Sequence, residues 1–402
     1  MSSPQRPQAL GNADDTVVPA GARVRGAGNI DFGNGQPSLS LLPQSAMRTA
    51  AEHCLTRGDA ALLQYGADQG DDGFRESLAQ FLSRRYATPV DATHLMVSAG
   101  ASQALDLVCA RFTKPGDTIF VEEPTYFLAL ELFRDHGLQV VGIPLDADGM
   151  RMDALHDALA QHRPALVYTI PSFQNPTGTT MSAARREQLM EASRAHDLLI
   201  VADEVYQLLD FGAPPPPPLA VLATTHTHEA RVLSLGSFSK ICAPGLRLGW
   251  IHGAPALLDI VMRSGVVQSG GGMNPFVSGV MRSMIDLGLA DEGLDALRRV
   301  YTERSATLCQ ALRDYVPDAA FIEPRGGYFV WLTLPDGMLA SQLQPIAAAE
   351  GVTFHAGSRF ISRLGFTQTV RLSFAHYAAA ELVDGVQRLA RAVDQCRAGS
   401  AR

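Results

Sequence analysis

Short apolar runs alternate with helix-length amphipathic stretches through the middle of this sequence. Several runs are continuously apolar rather than alternating, as in strands that are covered on both faces. Strands separated by helices favour a mostly parallel sheet. Helices are predicted at 102–112 and 182–197, among others. Seven strands are predicted, at 95–97, 118–121, 139–143, 165–170, 198–202, 232–235 and 248–251.

The pattern changes after residue 290. Apolar residues then recur at close to helical spacing, which predicts one long amphipathic helix with a single buried face; they are Leu294, Leu297, Tyr301, Leu308 and Leu312. Three further strand-like runs follow, at 326–334, 352–357 and 369–374. We therefore expect an α/β protein in which a smaller, separate layer follows the large sheet.

Composition narrows the classes of function. The net charge is −8 and no run of Lys or Arg forms a basic stripe, so nucleic acid is a poor partner. The five cysteines are scattered without CxxC spacing, which supports neither a zinc site nor a disulfide framework and favours a reducing compartment. No apolar stretch approaches the roughly 20 residues that span a bilayer. We expect a cytoplasmic protein with no bound metal and no membrane or nucleic-acid partner.

Ligands of parallel sheets bind beyond the carboxyl ends of the strands. Five polar or small-residue segments directly follow predicted strands in this sequence, and their shared position predicts one composite site. They are SAGASQ at 98–103, EEPTYF at 122–127, PSFQNPTG at 171–178, DEVYQ at 203–207 and GSFSK at 236–240.

Two of these segments suit a phosphate group. Ser237 and Ser239 offer hydroxyl donors, and Arg247 offers a guanidinium fork. The small residues at 98–102 would leave backbone N–H groups at the positive end of a helix, although an ordinary strand-to-helix turn explains them equally well. No Walker A string exists, so a phosphorylated cofactor fits better than a nucleotide.

The remaining segments offer an amine, a carboxylate and flat rings. Lys240 is either a surface lysine or, beside apolar neighbours, a desolvated nucleophile toward aldehydes. Asp203 is either a helix cap or the anion that keeps a pyridine nitrogen protonated. Asn175 either shapes a turn or binds a ring hydroxyl, and Tyr126 is either core or the cover of a ring. Tyr206, three residues after Asp203, would lie on the same side as Asp203 if the chain turns helical there.

Together these groups match pyridoxal 5′-phosphate. The chain resembles the fold-type I aminotransferases of class I and II, in the branch that acts on 2-aminoadipate, kynurenine and a broad range of amino acids. The resemblance runs from about residue 29 to 395 and rests on SFSK…PGLRLGW, NPTG and DEVY. On this basis we expect a large domain at 49–290 with a mostly parallel, doubly covered seven-stranded sheet. Segments 29–48 and 291–402 would form a smaller α+β domain, and residues 1–28 a flexible tail.

The resemblance implies a role for each matching residue. Lys240 would hold the cofactor as an internal Schiff base and move the proton, Asp203 would pair with the pyridinium nitrogen, and Tyr126 would stack on the ring. Asn175 and Tyr206 would bind the ring oxygen. The phosphate would be held by Ala101, Ser102, Ser237, Ser239 and Arg247.

Two further residues carry implications for substrate and assembly. Arg371 matches the anchor of the substrate α-carboxylate, beside Asn175, and Tyr65 matches a tyrosine that reaches the phosphate site of a neighbouring subunit, which implies a homodimer. The chain departs from the family pattern at two positions. Alanine at 101 replaces a frequent serine, and His355 stands where an apolar residue or proline is usual, either as a surface group or as a determinant of substrate choice.

Transamination between an α-amino acid and a 2-oxo acid is the predicted reaction. Decarboxylation, C–S lysis or oxidation at the same cofactor are alternatives, because the same catalytic groups serve all of them. A PLP-sensing regulator is a further alternative, disfavoured because only about 28 residues precede the fold. The predicted substrate side-chain pocket is apolar or aromatic if Leu39, Leu41, Tyr65 and Phe173 line it, but these residues could equally be core.

Overall fold

The computed structural model describes residues 28–225, 230–270, 273–363 and 365–400. The predicted tail at 1–28 therefore lies outside the described residues, apart from Gly28. The strands are β1 Ile30–Asp31, β2 Leu95–Ser98, β3 Thr118–Glu123, β4 Gln139–Asp146, β5 Gly149–Met150, β6 Leu166–Thr169, β7 Leu199–Asp203, β8 Val232–Ser237, β9 Gly249–Gly253, β10 Ala320–Phe321, β11 Phe329–Thr333, β12 Val352–Thr353, β13 His355–Ala356 and β14 Thr369–Ser373. The α-helices are α1 Gln44–Thr56, α2 Asp72–Tyr86, α3 Ala101–Phe112, α4 Phe127–Asp135, α5 Met152–Gln161, α6 Ala183–His196, α7 Leu219–Thr225, α8 Phe238–Ile241, α9 Pro255–Met262, α10 Gly265–Gly270, α11 Pro275–Asp286, α12 Leu289–Tyr315, α13 Ala340–Ala349 and α14 Ala379–Ser400.

The large sheet has the strand order β2-β9-β8-β7-β6-β3-β4-β5. Strands β4, β3, β6, β7 and β8 pair in parallel, while β9 is antiparallel to both of its neighbours, so the sheet is mostly parallel as predicted. All seven predicted strands belong to this sheet. The count of seven was nevertheless one too low, because the two-residue β5 folds back antiparallel onto the end of β4.

Apolar layers cover both faces of this sheet. Successive residues of β7 show why: Val201 packs in one cluster with Val108 of α3 and Phe133 of α4. Ile200, on the opposite face, packs in another cluster with Leu189 of α6. Side chains alternate between the two faces of a strand, so a strand that is apolar at every position must be buried on both.

The region after residue 290 contains the predicted long helix α12, whose buried face includes Leu294, Leu308 and Leu312. A four-stranded antiparallel sheet follows, in the order β10-β11-β14-β13. Strand β1 pairs in parallel with β12, so the start of the described chain joins its carboxyl-terminal part. Within the described residues, no helix is long and apolar enough to cross a membrane.

Candidate active site

Four adjacent parallel strands deliver the predicted site residues to one edge of the large sheet. Asp203 ends β7 and Ser237 ends β8. Asn175 lies in the loop that follows β6, and Tyr126 lies between β3 and α4. Because neighbouring parallel strands end at the same edge, the order β8-β7-β6-β3 makes these four residues neighbours across the sheet.

Asp203 is buried, and its two oxygens differ in environment. Oδ2 accepts a hydrogen bond of 2.7 Å from the hydroxyl of Tyr168. Oδ1 is buried and has no hydrogen-bond partner. Burial raises the pKa of Asp203, whereas hydrogen bonds from the Tyr168 hydroxyl and the Val205 backbone N–H, and then the charge of Lys240, lower it. A buried acceptor without a partner is costly, so Oδ1 is suited to a donor that arrives with a ligand.

Lys240 lies in the short helix α8, directly after β8, and is partly buried. Its Nζ donates to the carbonyl of Gly35 at 3.1 Å and stands 5.6 Å from the centroid of the Tyr328 ring. Burial and the positive charge of Arg371 lower the pKa of this amine to about 8, against the opposing charge of Asp203. An amine with that pKa is a better nucleophile near neutral pH than an ordinary lysine.

A polar cradle connects α8 to the start of α3. The Oγ atoms of Ser237 and Ser239 lie 2.9 Å apart, and Nη1 of Arg247 donates to Ser239 Oγ at 3.4 Å. Nη2 of Arg247 donates to the carbonyl of Ala99 at 3.2 Å. Gly100, with φ 91°, caps α3, and a Cβ there would lie 3.0 Å from Arg247 Nη2. Glycine therefore keeps open the space between the guanidinium and the helix end.

The backbone of Ala101 and Ser102 forms the first turn of α3, beside this cradle. The first N–H groups of a helix have no intrahelical acceptor and favour an anion. The hydroxyls, the guanidinium and the helix end are together suited to a phosphate group.

Arg371 is buried in the middle of β14. Nη1 donates to Asn175 Oδ1 at 2.9 Å, Nη2 donates to the carbonyl of Gly33 at 2.8 Å, and Nε is buried without a partner. Burial lowers the pKa of Arg371 to about 10. In the described part of the chain no carboxylate forms an ion pair with it. The unused hydrogens of this guanidinium could therefore bind a carboxylate that comes from outside.

Two tyrosines, Tyr126 and Tyr206, complete the group around the carboxylate of Asp203. Tyr126 is partly buried, and burial together with the Asp203 charge raises its pKa to about 12. Tyr206 is buried against Phe329, with ring centroids 5.9 Å apart. Burial raises its pKa as well, and Tyr126 and Asp203 lie near enough to contribute. Both phenols therefore stay neutral and can donate hydrogen bonds at physiological pH.

Tyr65 lies apart from this group, whereas His355 lies beside it. The Tyr65 residue is 79% exposed and, among the described residues, its backbone N–H bonds only the side chain of Gln64. His355 is partly buried in β13, opposite Arg371. Of the residues suggested for a substrate pocket, Leu39 is 80% exposed, whereas Phe173 is buried in the core.

Sequence reasoning missed three contributors to the site. Tyr168 holds Asp203, Tyr328 donates to the Lys240 carbonyl at 2.9 Å, and the loop at Gly33–Gly35 provides carbonyls to Arg371 and Lys240. A tyrosine within a mostly apolar strand was the available signal for Tyr168. Gly33 and Gly35 contribute only backbone carbonyls, which every residue type has, so the sequence did not indicate their part in the site.

The site fits pyridoxal 5′-phosphate on two observations of its own. The orphaned Oδ1 of Asp203 matches a protonated ring nitrogen. The space that Gly100 leaves beside Arg247 matches the phosphate at the other end of the molecule. Lys240 offers an amine of the kind that reacts with the aldehyde of this cofactor.

Comparison with known proteins agrees with this chemistry. A family model described as aminotransferase class I and II matches residues 26–389. An aromatic-amino-acid aminotransferase of Thermococcus litoralis is 33% identical over 375 residues, which cover 91% of this chain and 88% of that protein.

Solved structures show the same resemblance. A multiple-substrate aminotransferase from Thermococcus profundus has a TM-score of 0.86 and 33% identity, with 94% of each chain covered. An α-aminoadipate aminotransferase from Thermus thermophilus, complexed with N-(5′-phosphopyridoxyl)-L-leucine, has a TM-score of 0.84 and 31% identity. It covers 92% of this chain and 94% of its own.

Proposed function

The chain belongs to the class I and II aminotransferases and is a pyridoxal 5′-phosphate-dependent transaminase, and from that premise we propose how its own residues carry out the reaction. When bound, the cofactor supplies an electron sink that accepts the charge left when a proton departs from the substrate Cα. The observation that carries the proposal is the buried, partnerless Oδ1 of Asp203 on the same site edge as an amine whose pKa is about 8.

Lys240 is proposed to hold the cofactor covalently and then, once released, to move the proton between the substrate Cα and the cofactor. Its lowered pKa supports both roles, because a base must be unprotonated to accept a proton. The Gly35 carbonyl accepts a hydrogen bond from Nζ at 3.1 Å and so holds the amine in place.

Asp203 is proposed to pair through Oδ1 with the ring nitrogen, while Tyr168 keeps Oδ2 in place. Asn175 would donate its amide N–H to the ring oxygen while its Oδ1 accepts from Arg371, and Tyr206 would donate its hydroxyl to the same oxygen. Tyr126 would stack on the ring. Phosphate would be held by the cradle of Ser237, Ser239, Arg247 and the Ala101 and Ser102 amides.

Arg371 is proposed to bind the substrate α-carboxylate with the hydrogens that Asn175 and Gly33 leave unused. Its burial supports this role, since a buried cation needs an anion to offset its lost hydration. The substrate would therefore be an α-amino acid rather than a simple amine, with a 2-oxo acid as the second substrate.

We further propose a homodimer in which Tyr65 of each chain reaches the phosphate site of the other. Tyr65 is 79% exposed and Leu63, in the same segment, is 77% exposed. This segment therefore presents an exposed apolar surface, which supports the proposal of a second chain. The five cysteines all lie among the described residues; none of them forms a disulfide and four are buried, which supports a cytoplasmic location, where thiols stay reduced.

A domain division is proposed as well, with a large domain at 49–290 and a small domain formed by 29–48 and 291–402. Pairing of β1 with β12 supports the union of the two terminal segments.

A half-reaction screen tests the function. Cofactor-loaded protein is mixed with single amino acids, without a 2-oxo acid, while the cofactor absorbance is followed and the products are identified by mass. Conversion of the cofactor to its amine form together with release of a 2-oxo acid is expected. Release of carbon dioxide or of a thiol, with the cofactor unchanged, would instead indicate one of the alternative reactions.

Borohydride reduction of the loaded protein, followed by peptide mapping, tests the attachment point. The mass of the reduced cofactor is expected on the peptide that contains Lys240. The matched control is the Lys240→Ala variant, which should fold and carry no label. A label on Lys114, the other lysine of the chain, would overturn the assignment.

A further inference from the structure

Glu122 is a buried carboxylate at the edge of the large sheet that carries the site. It is the last residue but one of β3 and is 1% exposed. Among the described residues, no lysine or arginine forms an ion pair with it. Burial raises the pKa of Glu122, against hydrogen bonds from Thr169, Ile170 and Gln174. Because a buried carboxylate without a cation is costly, these hydrogen bonds must offset its lost hydration.

Three donors reach the two oxygens of Glu122. The hydroxyl of Thr169, the last residue of β6, donates to Oε1. The backbone N–H of Ile170 donates to Oε2 at 3.0 Å, and Nε2 of Gln174 donates to the same oxygen at 3.1 Å. The carboxylate therefore holds both the end of β6 and the loop that follows it.

Gln174 connects Glu122 with two segments of the site. Its Nε2 also donates to the carbonyl of Pro124 at 2.7 Å, two residues before Tyr126. Its Oε1 accepts from the backbone N–H of Thr177 at 2.9 Å. A side-chain amide has two donor hydrogens and one acceptor oxygen, so each polar atom of this buried side chain is in use.

The loop that contains Asn175 is also closed by its own backbone. The N–H of Gln174 donates to the carbonyl of Thr179 at 2.8 Å, and the N–H of Gly178 donates to the carbonyl of Gln174 at 2.7 Å. Asn175 lies within this turn, and its Oδ1 accepts from Nη1 of Arg371 at 2.9 Å. Because hydrogen bonds close the turn, a fixed Gln174 side chain also fixes the direction of the next side chain, Asn175.

These two segments carry two of the proposed contacts with the cofactor ring. Tyr126 would stack on the ring, and Asn175 would donate to the ring oxygen. Glu122 is connected with both segments through one side chain, that of Gln174. A displacement of this amide would therefore shift the two ring contacts together, whereas the Thr169 hydroxyl bonds the other carboxylate oxygen.

We propose that Glu122 is a positioning residue for the cofactor ring, which acts through Gln174 to hold Tyr126 and Asn175 in the places that the ring requires. This inference rests on the proposed function. Glu122 acts here as a hydrogen-bond acceptor, and its charge is not needed for the role. An apolar side chain at this position would avoid the burial of a charge, so stability of the fold does not by itself account for the carboxylate.

Two substitutions separate the position of Glu122 from its charge. Glu122→Gln removes the charge and keeps the contacts: its amide oxygen can accept from Ile170 and Gln174, while its N–H donates to the Thr169 hydroxyl, which can turn to accept. Glu122→Leu is similar in size and leaves all three donors without an acceptor. We therefore expect Glu122→Gln to resemble the parent and Glu122→Leu to loosen the ring.

Circular dichroism of the bound cofactor measures the position of the ring without turnover. Pyridoxal 5′-phosphate is achiral, so its visible absorption band acquires circular dichroism only from protein groups that are fixed around it. At saturating cofactor, Glu122→Leu should lose much of this signal per bound cofactor, and Glu122→Gln should keep it. The kcat of the half-reaction should fall about 10- to 100-fold in Glu122→Leu, because misplaced reacting groups are that costly. In Glu122→Gln it should stay within about fivefold of the parent.

Gln174→Met tests the same connection from its other end. This variant and the double variant with Glu122→Leu should both lose dichroism and kcat to about the degree of Glu122→Leu, because changes along one path are not additive. Additive losses in the double variant would mean that Glu122 acts independently of Gln174 and would overturn the proposal. If Glu122→Leu does not fold, Glu122→Gln and Gln174→Met decide, and a Gln174→Met variant with the dichroism of the parent overturns the proposal.

Thr169→Val is the matched control. It removes the donor to Oε1 from the same buried cluster with little change in shape, and leaves the bonds of Glu122 with Ile170 and Gln174 in place. It should lower thermal stability and keep both the dichroism and kcat within about threefold of the parent.

Two results would overturn the inference. Equal losses of dichroism in Thr169→Val and Glu122→Leu would mean that the cluster only supports the fold. Equal losses in Glu122→Gln and Glu122→Leu would assign the effect to the charge of Glu122 rather than to its contacts. Failure of the proposed function would look different, because no amino acid would then convert the cofactor in the parent protein.

Discussion

Tyr168 donates its hydroxyl hydrogen to Oδ2 of Asp203 at 2.7 Å, and thereby fixes a carboxylate whose other oxygen has no partner. Tyr168 is opposite Val201 in the β6–β7 pairing, and Asp203 lies two residues beyond Val201, so both side chains share a face. A buried oxygen without a partner costs about 1–3 kcal/mol. Such a cost agrees with the proposal that a protonated ring nitrogen fills the position.

Asp203→Asn should lower kcat of the half-reaction by roughly 100-fold or more, because the loss concerns an electrostatic interaction that grows in the transition state. Tyr168→Phe should cost less, about tenfold, since the charge of Asp203 is kept and only its orientation is loosened. Stopped-flow absorbance at saturating amino acid measures both. If Asp203→Asn kept the parent kcat and bound cofactor more weakly, Asp203 would be a binding group only.

The pKa of Lys240 can be measured directly in cofactor-free protein. The rate at which an amine-specific reagent labels Lys240, followed by peptide mass, should rise with pH and level off above a midpoint near 8. The ordinary lysine value of 10.5 would give a midpoint more than two units higher. Labelling of Lys114 in the same sample is the internal control for the activity of the reagent.

Two substitutions, Arg371→Met and Asp203→Asn, should move the labelling midpoint of Lys240 in opposite directions. Arg371→Met removes a positive charge that lowers the pKa of Lys240, so the midpoint should rise. Asp203→Asn removes a negative charge that raises this pKa, so the midpoint should fall. A midpoint that stays unchanged in both variants would mean that burial alone lowers the pKa of Lys240.

Gly100→Ala should weaken cofactor binding about 5- to 100-fold. A non-glycine residue at φ 91° is strained, and its Cβ would lie 3.0 Å from Nη2 of Arg247, so the cradle must shift. Gly116→Ala is the matched control, with φ 92° and nothing within 4 Å of a Cβ. Both variants should lose thermal stability, but only Gly100→Ala should lose cofactor affinity in a fluorescence titration. Equal affinities would refute the role of this glycine.

The sequence predicted the large sheet well because its strands are continuous apolar runs buried on both faces. β5 escaped prediction because two residues are too few to show a period. The site edge was predictable for a similar reason: Asp203 and Ser237 end strands, Asn175 and Tyr126 follow strands, and parallel topology brings strand ends together.

What the sequence did not predict depends on contacts between distant segments. Arg371 and the Gly33 carbonyl are 338 positions apart, and a backbone acceptor has no residue-type signature. In the sequence Tyr168 looks like a core residue, because its neighbours are apolar. Only the register of β6 on β7 places it beside Asp203. The contact of Arg359 with Phe127, 4.2 Å from the guanidinium carbon to the ring centroid, likewise depends on how the turn after β13 packs against α4.

Arg371 is the residue proposed to decide between an α-amino-acid enzyme and one that acts on simple amines. Within the described residues it has no ion-pair partner, and a structural salt bridge therefore does not account for its burial. Losing two charge-assisted hydrogen bonds to a carboxylate should cost on the order of 3–5 kcal/mol. Arg371→Met should therefore lower kcat/KM for amino acids roughly a hundred- to several-thousand-fold. Arg371→Lys should recover only part of this loss, because an ammonium cannot form the fork.

A carboxylate-free amine of similar size provides the control, measured in the same half-reaction. Its slow conversion should hardly respond to either substitution, since the interaction that is lost requires a carboxylate. Arg371 also supports Asn175 and the Gly33 carbonyl, so some disturbance of the site would reach both substrates alike. Comparing the loss of activity on the amino acid with the loss on the amine cancels this shared disturbance. Equal losses on the two substrates would mean that Arg371 acts through Asn175 and Gly33 to support the site and does not bind the carboxylate.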